Sequence, residues 1–187
     1  MESSWLLIPL WVVLFLLDDY LTVLVARRYD QQSEAIIEFQ GGYELTPQYK
    51  QEIAEHRLFG PMFLRSLILL TIVLVLVRSV VQYGWVPVSA YQFVAGALIL
   101  ASCAVNIRHA QNLVFFGIIP VPERPIGRIS YPLSFSYRGS AIGFLAFGLF
   151  YLLLSLILGS WFVLGGALAC SVTAISHWRF SNQPPRS

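Results

Sequence analysis

The chain has 187 residues, of which 57% are hydrophobic and only 12% charged, with a net charge of +2 at pH 7. A soluble domain usually carries about a quarter charged residues, so this composition excludes an ordinary soluble fold and leaves no room for a separate soluble domain. The small positive balance bears on membrane topology and gives no support to a nucleic-acid partner.

Each bilayer crossing takes roughly 20 apolar residues, so the chain has room for about five. The first predicted span runs from Trp5 to Ala26. Its leading "MESS" carries an acid and no base, its apolar run is long, and no small-x-small site precedes Arg27, which predicts a retained helix and not a signal peptide. A long loop follows, residues 27–60, with six of the ten acidic residues. Gly41 and Gly42 split it. Thr46 suits a helix N-cap and Pro47 a first helical position, which predicts a short charged helix from Pro47 to Phe59.

The second span is predicted over Pro61–Tyr83 and the third over Val88–Ile107, with a possible interfacial continuation to Phe116. The loop 108–139 has four prolines after Phe116 and reads as extended and irregular. Spans over Ser140–Leu158 and Trp161–Ser176 are separated only by Gly159 and Ser160, a tight hairpin. Gly166, Cys170 and Ala174 are four apart, beside Gly165, Ala169 and Thr173; the third span offers Ala97, Ala101 and Ala104, the fourth Gly139 and Gly143. Such spacing lets helices approach closely in lipid. Cys103 and Cys170 lie at different depths and read as small packing residues, not a bridge.

The expected fold is therefore an all-α integral membrane bundle of about five transmembrane helices, a single polytopic domain over 1–187. Eleven of the twelve Lys and Arg residues fall on one side, with Arg78 alone on the other. That predicts an outside N-terminus and a cytoplasmic C-terminus. Trp85 and Trp161 would then mark the outer interface and Trp178 the inner one.

Polar groups inside the spans are the candidate site. An intramembrane carboxylate is costly and normally faces the bundle interior, and an aspartate is too short to snorkel. The run "VVLFLLDDYLTVLVARR" holds Asp18 and Asp19; Asp18 shares a face with Thr22, while Asp19 looks another way. Arg65 lies inside the second span, and "VNIRHAQN" brings Asn106, His109 and Asn112 to one broad face with Arg108 at its border. These groups reach one depth, so Asp18 and Asp19 are expected to pair with Arg65, Arg108 or His109. Such pairing would serve architecture alone or build a functional cluster. Arg78 reads as a snorkelling residue, His177 as interfacial and His56 as solvated.

Asp18, Asp19 and His109 are also the candidate ligands of a divalent cation. Specific enzyme signatures do not match. "DDYLT" shares its first two acids with the DDxxD of prenyltransferases, but Thr22 replaces the last acid, and no second motif follows. Asp18, Asp19, Ala26 and Arg27 partly resemble the CDP-alcohol phosphotransferase signature, whose DG pair and downstream acids are missing. HExxH, GxSG and glycine-rich phosphate loops are absent.

"LLDDYLT" followed by "GGYELTP" resembles the D-x-x-x-T … G-x-x-E-x-N-P pattern of a broad group of uncharacterised small prokaryotic polytopic membrane proteins. Asp18, Thr22, Gly41, Glu44 and Pro47 carry it; Thr46 stands in place of Asn, and the two halves are further apart. The resemblance implies a prokaryotic cytoplasmic membrane and a loop contribution of Glu44 to the site.

Three functions follow as expectations. The first is an accessory, assembly or lipid-binding component, with the bilayer and a membrane protein or second copy as partners. The second is an ion or small-solute transporter using Asp18 and Asp19 with His109 as relay. The third is a metal-dependent enzyme on a lipid-linked substrate, with Arg65 and Arg108 clamping phosphate.

Overall fold

A computed structural model describes residues 5–33, 37–39, 48–118 and 129–183. Gly41, Gly42, Glu44, Thr46, Pro47, Arg124, Arg128 and Arg186 lie outside the described residues. The elements in chain order are α1 (Leu7–Arg28), β1 (Ile37–Phe39), α2 (Lys50–Ala54), α3 (Pro61–Gln82), α4 (Val88–Ile118), β2 (Ile129–Tyr131), α5 (Leu133–Leu158) and α6 (Trp161–Ser181). Five of the helices are long and apolar enough to cross a membrane.

Boundaries differ from the sequence reading where charge interrupts an apolar run. α4 continues without a break to Ile118, in line with the predicted continuation to Phe116, so "NIRHAQN" belongs to the same helix. α5 starts at Leu133, seven residues before Ser140, because Pro132 is its N-cap and Arg138 is accommodated within the helix. Arg138 lies 5.9 Å from the Trp178 ring and donates to Asn182. α6 likewise runs past Ser176 to Ser181. The predicted charged helix shrinks to Lys50–Ala54, since His56 and Phe59 take left-handed φ values of 51° and 53° that turn the chain toward Gly60 and Pro61. Pro9 falls in the first turn of α1, where no intrahelical N–H is required.

α4 is packed on both sides. On one side Trp11, Leu74, Tyr91, Ala95 and Ile99 join α1, α3 and α4. On the other Ala104, Phe144, Tyr151, Ala167, Cys170 and Ala174 join α4, α5 and α6. Both cysteines are free, Cys170 buried in the second cluster and Cys103 packed against the first.

The helix pairs α4/α6 and α5/α6 touch through small residues. A Cβ on Gly165 would meet the Phe93 carbonyl, and one on Gly96 the Phe162 carbonyl, so the backbones of α4 and α6 are in direct contact. Gly159 closes α5 with a φ of 60°, and the Ser160 hydroxyl accepts the Val163 N–H at the start of α6. That two-residue turn sets α5 antiparallel to α6. α3 is peripheral: among its residues only Phe63, Leu74 and Arg78 are buried, and Ile68, Leu69, Ile72 and Leu76 face outward.

The two long connections meet at one end. β1 and β2 pair in parallel, Phe39 opposite Tyr131, and these rings stack at 5.7 Å. Phe39 also packs on Tyr29 and Phe116, an aromatic cover over the ends of α1 and α4.

Candidate functional site

Beneath that cover a cavity of about 790 Å³ lies between α1, α4, α5 and α6. α1 contributes Asp18 and Thr22, one turn apart. The Thr22 hydroxyl donates to the Asp18 carbonyl oxygen at 2.8 Å, and its oxygen lies 3.0 Å from His109 Nε2. A threonine hydroxyl has one proton, and here it is committed to the backbone. With that proton on the backbone, the Thr22 oxygen can accept from His109 Nε2 in the tautomer protonated there. Asp18 Oδ1 lies 3.3 Å from the same nitrogen, within ion-pair range, yet it is buried and makes no hydrogen bond. The contact with Asp18 is an ion pair only when His109 is protonated.

Asp19 also lines the cavity, but its carboxylate bonds away from this group. Adjacent helical residues point about 100° apart, and Asp19 Oδ2 accepts the backbone N–H of Phe59 at 2.8 Å. Glu52, equally buried, accepts the Met62 N–H at 2.9 Å and so caps α3. A Cβ on Gly60 would collide with that carboxylate. Asp19 and Glu52 together fasten the turn between α2 and α3.

The expected Arg65 partner is a correction. Arg65 is exposed on α3 and lines no part of the cavity, because the α3 face packed on α1 and α4 is the one bearing Phe63 and Leu74. Asn106 is also outside the cavity lining; its Nδ2 donates to the Leu14 carbonyl at 2.9 Å and ties α4 to α1. Arg108, His109 and Asn112 do line the cavity. His109 faces α1, whereas the Arg108 guanidinium lies 4.8 Å from the Phe144 ring centre on α5, beside Gly143. Glu44 lies outside the described residues.

His177 is a lining residue that the sequence reading missed. Its Nδ1 lies 2.8 Å from Ser140 Oγ, and its ring meets Phe144 and Tyr137 edge-on. The available signal was Thr173, one turn earlier on the same face and also in the cavity wall. Ser136, one turn before Ser140, has a buried hydroxyl without a hydrogen bond.

Arg78 is the second correction. It is only 5% exposed, its guanidinium lying 4.9 Å from the Trp5 ring and 5.9 Å from the Tyr91 ring. Aromatic faces hold this cation in place of interfacial water. His56 pairs with Asp30 at 2.8 Å at the loop surface.

Among the described residues no group of three or more His, Cys, Asp or Glu side chains is arranged to hold a metal ion. Asp18 and His109 are neighbours, but Asp19 is turned to Phe59, so the three candidate ligands do not converge. The wall instead combines two carboxylates, one guanidinium, two imidazoles and several hydroxyls with the rings of Phe15, Phe115, Phe135 and Phe147. Such a surface suits a molecule with a polar, charged end and an apolar body. Comparison of the chain with protein-family models, with curated proteins and with solved structures gives no match.

Proposed function

We propose that this membrane protein takes one lipid, or a similar amphiphile, into the cavity between α1, α4, α5 and α6. The observation that carries the reading is the cavity itself: about 790 Å³, with charged and hydroxyl groups from four helices set among phenylalanine rings. That volume lies in the range of about 300–1,000 Å³ typical of small-molecule sites. In this reading the N-terminus is outside and the C-terminus cytoplasmic, from the bias of eleven of twelve bases. The cavity then sits at the inner leaflet of a prokaryotic cytoplasmic membrane.

The test is native mass spectrometry of the full chain released gently from its own membranes. Gly139 is in the cavity wall and a Cβ there meets no atom within 4 Å, so Gly139→Phe is the variant expected to take up cavity space. A lipid retained one-to-one by the wild type and lost from Gly139→Phe supports the reading. Equal spectra without bound lipid overturn it.

A second reading, ion or solute transport, is favoured by the contiguous Thr22–His109–Asp18 contact, a short path for protons. Proteoliposome flux that survives Asp18→Asn removes it.

A further inference from the structure

Arg78 is a permanent cation that the fold hides without neutralising. It stands on α3 fifteen residues after Phe63 of the cavity wall, about 22 Å further along the helix. The residue is 5% exposed, caged between the buried Tyr91 ring and the Trp5 ring, which lies at the surface. Aromatic faces offset part of the cost of burying a charge, but they accept few of its hydrogen bonds. An arginine has five N–H donors and keeps its proton in a protein.

Those donors are unmet. Nε is sealed and makes no hydrogen bond. Among the described residues no acceptor bonds Nη1 or Nη2 either, and these two, unlike Nε, keep contact with the outside. The described acidic residues, from Asp18 to Glu55, all belong to the end that holds the cavity. The counter-ion has to come from outside the described protein.

The level of the group points to its source. Arg78 lies one turn before the end of α3, and the strongly exposed Tyr83 and Trp85 follow in the turn to α4. Exposed tyrosine and tryptophan at a helix end mark the headgroup level of a bilayer, where lipid phosphate is the abundant anion. A guanidinium offers phosphate oxygens two parallel, charge-assisted N–H bonds. Below it Ile72, Val75 and Leu76 are exposed, an apolar face along which acyl chains can lie. We propose that Arg78 is an anion site at this interface and that its occupant is the phosphate of a lipid lying along α3. The site is separate from the cavity and does not depend on what the cavity holds.

The experiment follows unfolding of the full chain in neutral maltoside micelles while dioleoylphosphatidylglycerol, dioleoylglycerol or inorganic phosphate is added. A ligand that binds the folded state raises the unfolding midpoint with its concentration. The wild type should reach half of its stabilisation at about tenfold less phosphatidylglycerol than Arg78→Met, the difference one charge-assisted hydrogen bond supplies. Dioleoylglycerol should show no such difference. The same tenfold difference should persist in the Gly139→Phe background, where the cavity is filled.

Equal phosphatidylglycerol responses in the wild type and Arg78→Met overturn the proposal, and so does an equal Arg78 dependence for dioleoylglycerol. An Arg78 dependence that inorganic phosphate reproduces at the same concentration overturns the lipid as the source. A difference that vanishes in Gly139→Phe moves the lipid to the cavity and overturns the site, whereas a failed cavity reading leaves the difference in place. Glu2, the one acid before Asp18, lies outside the described residues. A response seen only in Glu2→Gln names Glu2 as the counter-ion and overturns the proposal. If Arg78→Met loses its helical circular dichroism, phosphatidylglycerol against dioleoylglycerol on Gly139→Phe decides alone.

Discussion

Glycine does opposite work at the two ends of this bundle. Toward the α5–α6 turn, Gly96, Gly165 and Gly148 are points where one helix backbone presses on another, and any side chain there meets protein atoms. Toward the long connections, Gly139 and Gly143 face open space or the flank of Arg108. The same residue type closes the bundle at one end and keeps it apart at the other. In lipid, where burial of apolar surface gives little net drive between helices, close packing has to supply the association. A closed end can therefore carry stability while the open end is released for a ligand.

The largest expected effect breaks the closed end. Gly165→Leu places a branched side chain against the Phe93 carbonyl and the Ala97 amide, both backbone and unable to yield by rotation. We expect a loss of about 3 kcal/mol or more, measured as unfolding in mixed micelles of increasing SDS fraction. An unchanged transition would mean that the α4/α6 contact is not what holds the bundle.

A smaller effect separates the two adjacent acids. Asp19→Ala strips the Phe59 N–H of its buried acceptor and should cost about 1–3 kcal/mol. Hydrogen exchange at residues 58–62 should quicken with it, as it should for Glu52→Ala, which uncaps Met62. Asp18→Asn removes no hydrogen bond and should leave both stability and that exchange nearly unchanged. Matching behaviour of the two aspartate variants would contradict the division of labour between them.

The five long apolar helices were legible because membrane crossing calls for a length and a composition that no packing detail can override. The divergence of Asp18 and Asp19 was legible too, since helical geometry alone separates neighbours. Arg65 shows where legibility stops. α3 is apolar around its whole circumference, so nothing in its own sequence reveals which face meets α1 and α4. Arg78 failed for the related reason that its shelter, Trp5 and Tyr91, comes from two other helical segments. His177 stood near the end of a span beside Trp178, a position that reads as interfacial until Ser140 is seen opposite it. The β1–β2 pair joins connections 92 residues apart in the register Ile37 to Ile129, a contact outside any local pattern.

The smallest effect is the sharpest comparison, because it uses one substitution in one helix. Gly→Ala in the interior of a helix gains about 0.5–1 kcal/mol from backbone preference wherever the methyl group fits. At Gly143 the new Cβ would sit 3.6 Å from Arg108 Nε, an ordinary contact, so the gain should appear as a higher unfolding midpoint. At Gly148, five residues on, the Cβ would lie 2.7 Å from Ser171 Oγ and 3.3 Å from the Ser171 backbone nitrogen. The hydroxyl can rotate, but the nitrogen moves only if α6 moves. Overpacking of that kind costs about 1–3 kcal/mol and outweighs the propensity gain, so Gly148→Ala should lower the midpoint. Since both sites lie in α5, preference and lipid environment nearly cancel between them. Opposite signs would show that the bundle is packed at Gly148 and open at Gly143; two losses would mean that the gap beside Arg108 closes in the membrane, and two gains that α6 gives way at Gly148.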